Sequence, residues 1–323
     1  MPQLKEKPLL FGRNGSLVGV LTFPGELPST MAVVILSAGI LHRVGPSRIS
    51  VHLARRLARA GCTVLRFDLS GIGDSPLDSG APSLEASVLA DIDDAITTVL
   101  RECESDGVVL LGFCSGADNA YHVAADDPRV RGVVLLDPSI ERTKGFHRRR
   151  ALKRLLSFRS WMNLISGRSV YLRIKRRLGS PPPMPPEFFM LLTSTGEEYV
   201  RRAKAGLESG VRYFFMFSGG IEDFCNSPMQ VEEALQEVFS PDRMRVVLRS
   251  EMDHILSRKE DQEWMGDAVA GWIEENWGAS DSNELRFKPG APNPYLSTGE
   301  LFDADRGEVA LPGSKNLPPC ALA

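Results

Sequence analysis

Residues 107–117 read Gly-Val-Val-Leu-Leu-Gly-Phe-Cys-Ser-Gly-Ala. Val108 to Leu111 form a short apolar run of strand-type residues, and Gly112 and Gly116 frame Cys114. This spacing predicts a strand that turns sharply into a helix and holds its central side chain in a strained, exposed position. The glycines are needed because such a turn brings backbone segments too close for a Cβ. Cys114 occupies the centre of the frame and Ser115 follows it. Were Ser115 the centre, Phe113 and Ala117 would take the two tight positions, which suits phenylalanine poorly. The frame therefore favours Cys114 as the reactive group. Ser115, or a cysteine that merely packs, are the alternatives.

Strands and helices alternate on both sides of this turn. Leu9–Gly12 and Leu17–Phe23 read as a hairpin around Asn14-Gly15. Met31–Leu36 and Thr63–Phe67 read as buried strands, with a helix over Ile49–Ala60 between them that Gly61 closes. A helix over Leu84–Arg101 has Ser83 as its N-cap and Glu85 in its first turn. After the Cys114 turn come a helix to about Ala125 and a strand over Gly132–Leu136. The alternation resumes with a helix near Glu197–Gly206, strands at Val211–Phe217 and Met244–Leu248, and helices over Met229–Phe239 and Gln262–Trp277. Such a pattern implies an α/β fold with a mostly parallel sheet covered on both faces.

Four segments are expected: a core part over 1–138, a basic helical insertion over 139–210, a second core part over 211–277, and an extended tail over 278–323. Residues 142–177 hold 13 Lys or Arg and no Asp or Glu, leaving 25 basic against 41 acidic residues elsewhere. Leu152, Leu155, Leu156, Trp161, Leu164 and Ile165 recur there at helical spacing, which predicts a basic amphipathic cap. Pro181 to Pro183, Pro185 and Pro186 interrupt the segment. The terminal Cys320-Ala-Leu-Ala has the form of a prenylation box, but no polybasic run lies close upstream. The 323 residues, 43% of them hydrophobic, suffice for one large core with a cap. The net charge of −3 excludes nucleic-acid binding on balance alone. Five cysteines without CxxC spacing indicate neither a disulfide framework nor a zinc site. No apolar run reaches signal-peptide or membrane-spanning length, so a cytoplasmic protein is expected.

A thiol becomes a strong nucleophile when a base or a positive field makes it a thiolate. Among five histidines, His254 follows the last strand in a loop, Arg-Ser-Glu-Met-Asp-His-Ile, where parallel sheets place their sites. An acid to orient it is expected at another strand end. Asp223 closes the strand 211–217 through Phe-Ser-Gly-Gly-Ile-Glu-Asp. Glu222 beside it, and Asp137 after the preceding strand, are the alternatives. His42 is a candidate lining residue of the pocket. Asp68 is read as a stabiliser of the loop after the fourth strand, and Asp74 as a solvated turn carboxylate.

With Cys114, Asp223 and His254 in that order, the chain resembles an α/β-hydrolase. It is similar to the serine-aminopeptidase-like and exosortase-associated hydrolases, with the cysteine-bearing turn of dienelactone-hydrolase-type enzymes. Ser37-Ala38-Gly39-Ile40-Leu41-His42-Arg43-Val44-Gly45-Pro46, Phe67-Asp68-Leu69-Ser70-Gly71-Ile72-Gly73-Asp74-Ser75 and Asp253-His254 carry the likeness, which covers about residues 8–277. The resemblance implies Cys114 as nucleophile, His254 as base and Asp223 as the orienting acid. It implies an oxyanion hole from the backbone N–H groups of Ser115 and of Ile40, where Ala38-Gly39 stands in place of the usual His-Gly. No cofactor or metal is implied.

Three activities fit this reading. One is hydrolysis of an ester, lactone or thioester through an acyl-enzyme. Another is acyl transfer or cyclisation from a carrier- or CoA-bound donor. The third is a hydrolase fold used only for binding. The basic cap suits an anionic substrate, an acidic acyl carrier protein or an anionic membrane surface.

Overall fold

The computed structural model describes residues 4–13, 15–25, 31–103, 105, 107–157, 162 and 196–278. Asn14, the apolar positions Trp161, Leu164 and Ile165, the prolines of 181–186 and the tail beyond Gly278 lie outside the described residues. Eight strands form one sheet: β1 (Lys5–Phe11), β2 (Leu17–Phe23), β3 (Met31–Leu36), β4 (Cys62–Phe67), β5 (Val108–Phe113), β6 (Val130–Leu136), β7 (Arg212–Ser218) and β8 (Met244–Arg249). Their order is β1-β2-β4-β3-β5-β6-β7-β8. The β1–β2 and β2–β4 pairings are antiparallel, and all pairings from β3–β4 to β7–β8 are parallel.

Period-two alternation places the side chains of the central strands in two separate cores. Val34, Leu110 and Leu135 face one layer, where they meet α2 (Leu84–Arg101) and α3 (Ser115–Ala124) through Ile92, Ile96 and Ala120. Val33, Ile35, Val109 and Val134 face the other, where α1 (Ile49–Arg59) and the last helix, Lys259–Trp277, bring Leu53, Leu57, Met265, Val269 and Trp272. The apolar runs of β3, β4 and β5 are buried along their whole length because both faces are covered. The hydroxyl of Ser83 accepts the Ala86 N–H at 3.1 Å, so the expected cap of α2 forms. Gly61 has φ 93°, a conformation that ends α1 at little cost only for glycine.

Among the described residues, two helices lie in sequence between β6 and β7: α4 (Lys144–Leu156) and α5 (Gly196–Glu208). Thr143 caps α4, its hydroxyl accepting the Phe146 N–H at 3.1 Å. The helix expected over Met229–Phe239 is shorter. It is α6 (Met229–Leu235), ended by Gln236 at φ 51° and followed by one 3₁₀ turn. The last helix, α7 (Lys259–Trp277), starts three residues earlier than its apolar periodicity suggested, through the charged stretch Lys259-Glu260-Asp261. The parallel strands all point their carboxyl ends to one edge, and the chain reverses direction across the sheet between β4 and β5, on either side of β3. The loops after β3, β5, β6 and β8 meet there.

Candidate active site

Cys114 stands between β5 and α3 with φ 50° and ψ −117°, strained for any residue with a side chain. Its N–H donates to the Leu136 carbonyl at 2.8 Å. The framing glycines act as the spacing required. A Cβ on Gly112 would lie 2.2 Å from the Gly116 carbonyl oxygen, and one on Gly116 would lie 2.4 Å from that of Leu36. Helix α3 starts directly after Cys114, so its first N–H groups face the region beside the thiol.

His254 lies beyond β8, and its Nδ1 is 2.7 Å from Oδ2 of Asp137. Cys114 lines the same cleft as His254, and its side chain also favours the charged ring. The Asp137 bond first, and the Cys114 contact second, push the imidazole up to about 10, so the protonated ring is favoured through neutral pH. Asp137 directly follows β6 and its side chain is 1% exposed. Ser218, the last residue of β7, donates its N–H to Oδ1 and its hydroxyl to Oδ2, both at 2.7 Å. Three donors fix this buried carboxylate in orientation. The next turn is fixed from α3: the Ser139 N–H and hydroxyl each donate to Asp118 at 2.7 Å. Burial pushes Asp118 up to about 6.

The acid expected at Asp223 is therefore corrected. Asp223 is 76% exposed and pairs with Arg150 of α4 at 2.7 Å. Glu222 likewise faces outward and pairs with Lys153. The glycines ahead of them were read as delivering a carboxylate, and their geometry shows a different use. A Cβ on Gly219 would lie 1.9 Å from the Ser250 carbonyl oxygen, and one on Gly220 would lie 3.0 Å from the His254 nitrogen. The two glycines let the loop after β7 pass close beside the loop that carries His254.

Around the oxyanion region, Gly39 donates its N–H to the Ser115 hydroxyl at 2.6 Å. Leu41 N–H closes a turn onto the Ala38 carbonyl at 2.9 Å. Ser115 is thus a clip between the turn at Cys114 and the loop after β3, a contact that the sequence reading missed. Ile40 is 60% exposed at the tip of that turn. His42 is also corrected. The cleft holding Cys114 and His254, about 110 Å³, is lined by Leu41, Pro46, Phe113, Leu136, Ile255 and Leu256 among others, but not by His42. His42 instead lies beside Asp74 at 3.4 Å and Arg43 at 2.7 Å. Arg43 also pairs with buried Asp68, which holds the loops together as expected, and with Asp74, which is therefore more than a solvated turn carboxylate. Three potential metal-ligand groups, His42, Asp68 and Asp74, come together there, and the guanidinium already supplies the positive charge between the carboxylates. Cys225 offers no second reactive thiol, since burial pushes it up to about 11.

The family model for the alpha/beta hydrolase family matches residues 34–300. The chain belongs to the alpha/beta hydrolase family. Within solved alpha/beta hydrolases, one from Penicillium sp. sh18 superposes with a TM-score of 0.55 at 15% identity, covering 86% of this chain and 100% of the other. An esterase of Pyrococcus furiosus gives a TM-score of 0.51 at 15% identity, covering 85% and 92%. At such identities the likeness concerns the fold. Cutinase 2 of Thermobifida cellulosilytica is 27% identical over 134 residues, 42% of this chain and 49% of the cutinase. This hydrolase-family chain thus spans about half the length of the curated relatives that it matches.

Proposed function

We propose that this protein hydrolyses an acyl ester or thioester, with Cys114 as nucleophile, His254 as base and Asp137 as the acid that orients it. The observation that carries the reading is the series Asp137–His254–Cys114 at the sheet's carboxyl edge, with Nδ1 of the ring engaged by Asp137 at 2.7 Å. With Nδ1 occupied, Nε2 remains for proton transfer. The thiolate paired with imidazolium attacks the acyl carbon and a C–S bond forms. The N–H groups of Ser115 and Ile40 receive the oxyanion, each worth about 3–4 kcal/mol in sites of this type. His254 passes its proton to the leaving alkoxide or thiolate. It then takes a proton from water, which attacks the thioester and releases the acid and the Cys114 thiolate.

The apolar lining of the cleft suits an acyl chain, and the esterase and cutinase names of similar proteins agree with an ester substrate. Replacing Cys114 by Ala should abolish turnover of p-nitrophenyl esters and acyl thioesters, while Asp137→Asn lowers kcat by about 10²-fold or more. Asp223→Asn should leave it unchanged. Full activity in Cys114→Ala overturns the reading. The thiol also supports a second outcome: its thioester acyl-enzyme retains more transfer potential than an ester would. An amine or alcohol acceptor supplied with the acyl donor would then yield an amide or ester besides the free acid.

A further inference from the structure

The basic segment enters none of these steps, and its first helix has two unlike sides. One side of α4 is fastened to the body. Phe146 is fully buried, and Arg149 pairs with Glu233, Arg150 with Asp223 and Lys153 with Glu222. At 100° per residue, Lys144, Arg148, Leu152 and Leu155 fall on the opposite side, with Leu156 beside them. Leu152, Leu155 and Leu156 are 57%, 60% and 74% exposed. Lys144 and Arg148 are exposed among them. Beyond the helix, the sequence to residue 177 continues without a single acidic residue and interleaves its cations with Phe158, Trp161, Leu164 and Ile165. A solvated helix face has no use for three leucines, and a protein partner's apolar pocket gives no reason for so many cations of one sign. Cations interleaved with large apolar residues on an outward face match a surface that is anionic at its boundary and apolar just beneath it.

We propose that the outward face of α4 docks on an anionic lipid membrane, with the leucines entering the headgroup boundary and Lys144 and Arg148 meeting lipid phosphates. Cations near such a surface add to the attraction one by one, and it should fall steeply with salt. The face is separate from Cys114, and its test does not require turnover.

The experiment is flotation of the full chain with phosphatidylcholine vesicles, with and without equimolar phosphatidylglycerol. Binding is expected only with phosphatidylglycerol and should be lost as salt is raised. The double substitution Lys144→Glu, Arg148→Glu should weaken partition by at least about tenfold. Leu152→Ser with Leu156→Ser should weaken it while leaving its salt dependence in place. Unchanged circular dichroism and thermal transition establish that both variants fold. Equal binding to neutral vesicles, or no binding to either kind, overturns the proposal. So does capture by an acidic acyl carrier protein that the charge reversals abolish while vesicles remain unbound, since the face would then serve a protein.

Discussion

Cys114 holds a backbone conformation that costs about 1–3 kcal/mol, in the cleft that His254 also lines. The imidazole is raised by Asp137 first, so the charge on Asp137 reaches the thiol through the ring. Asp137→Asn should therefore slow iodoacetamide alkylation of Cys114 at pH 7, because the ring beside the thiol is no longer held charged. Asp223→Asn should leave the rate unchanged, because that carboxylate faces Arg150 instead. An equal slowing in both variants would remove Asp137 from its role. Ser115 acts through its neighbours: its hydroxyl accepts the Gly39 N–H and so sets the loop that carries Ile40. Ser115→Ala should lower kcat by about tenfold with KM little changed, the loss of one hydrogen bond of about 1.4 kcal/mol in the transition state. A rise in KM alone would refute that placement.

At the scale of elements, the site is assembled from four strand ends, that of β5 carrying Cys114, and one crossing of loops. Strand β6 supplies Asp137, the end of β7 supplies Ser218 to hold it, and the loop after β8 supplies His254. The loop after β7 contributes space: Gly219 lies where any Cβ would strike the Ser250 carbonyl. Gly219→Ala should push the loop after β8 away and separate His254 from Asp137. Activity should fall by about 10²-fold, as expected for ångström-scale misplacement of a catalytic group, while the cores remain folded. Kinetics together with near-ultraviolet circular dichroism would check this, and unimpaired turnover would count against it. The Gly-Gly signal was legible in the sequence, but its meaning was not. The two glycines clear a path for the histidine loop.

For the whole molecule, the His254 pair links folding to pH. Its folded value near 10 lies above the ordinary 6.5, so the pairing contributes stability fully below about pH 6.5 and loses it as pH rises toward 10. The ring is partly exposed, which tempers the size of the effect. The thermal-midpoint difference between the native chain and His254→Ala should shrink on going from pH 6 to pH 10. A difference that grows over that range would contradict the assigned pairing.

The fold was largely legible because its signals are local. Period-two apolar runs, the Ser83 cap, Gly61 and the frame Gly112–Gly116 each act within a few residues, and the strand–helix alternation leaves few topologies open. The positions of Cys114 and His254 were legible for the same reason, as each stands just beyond the end of its own strand. Which carboxylate meets His254 was decided only in three dimensions. Asp137 and Asp223 both follow parallel strands, and the linear order Cys-Asp-His is satisfied by either. What separates them is distance after folding: Asp137 is held at the strand end by Ser218, while the turn from Gly219 onward carries Asp223 out to Arg150. His42 was misjudged on the same ground. Its neighbour Leu41 enters the cleft, but its own ring joins Arg43 and Asp74, a set of charges from two loops far apart along the chain.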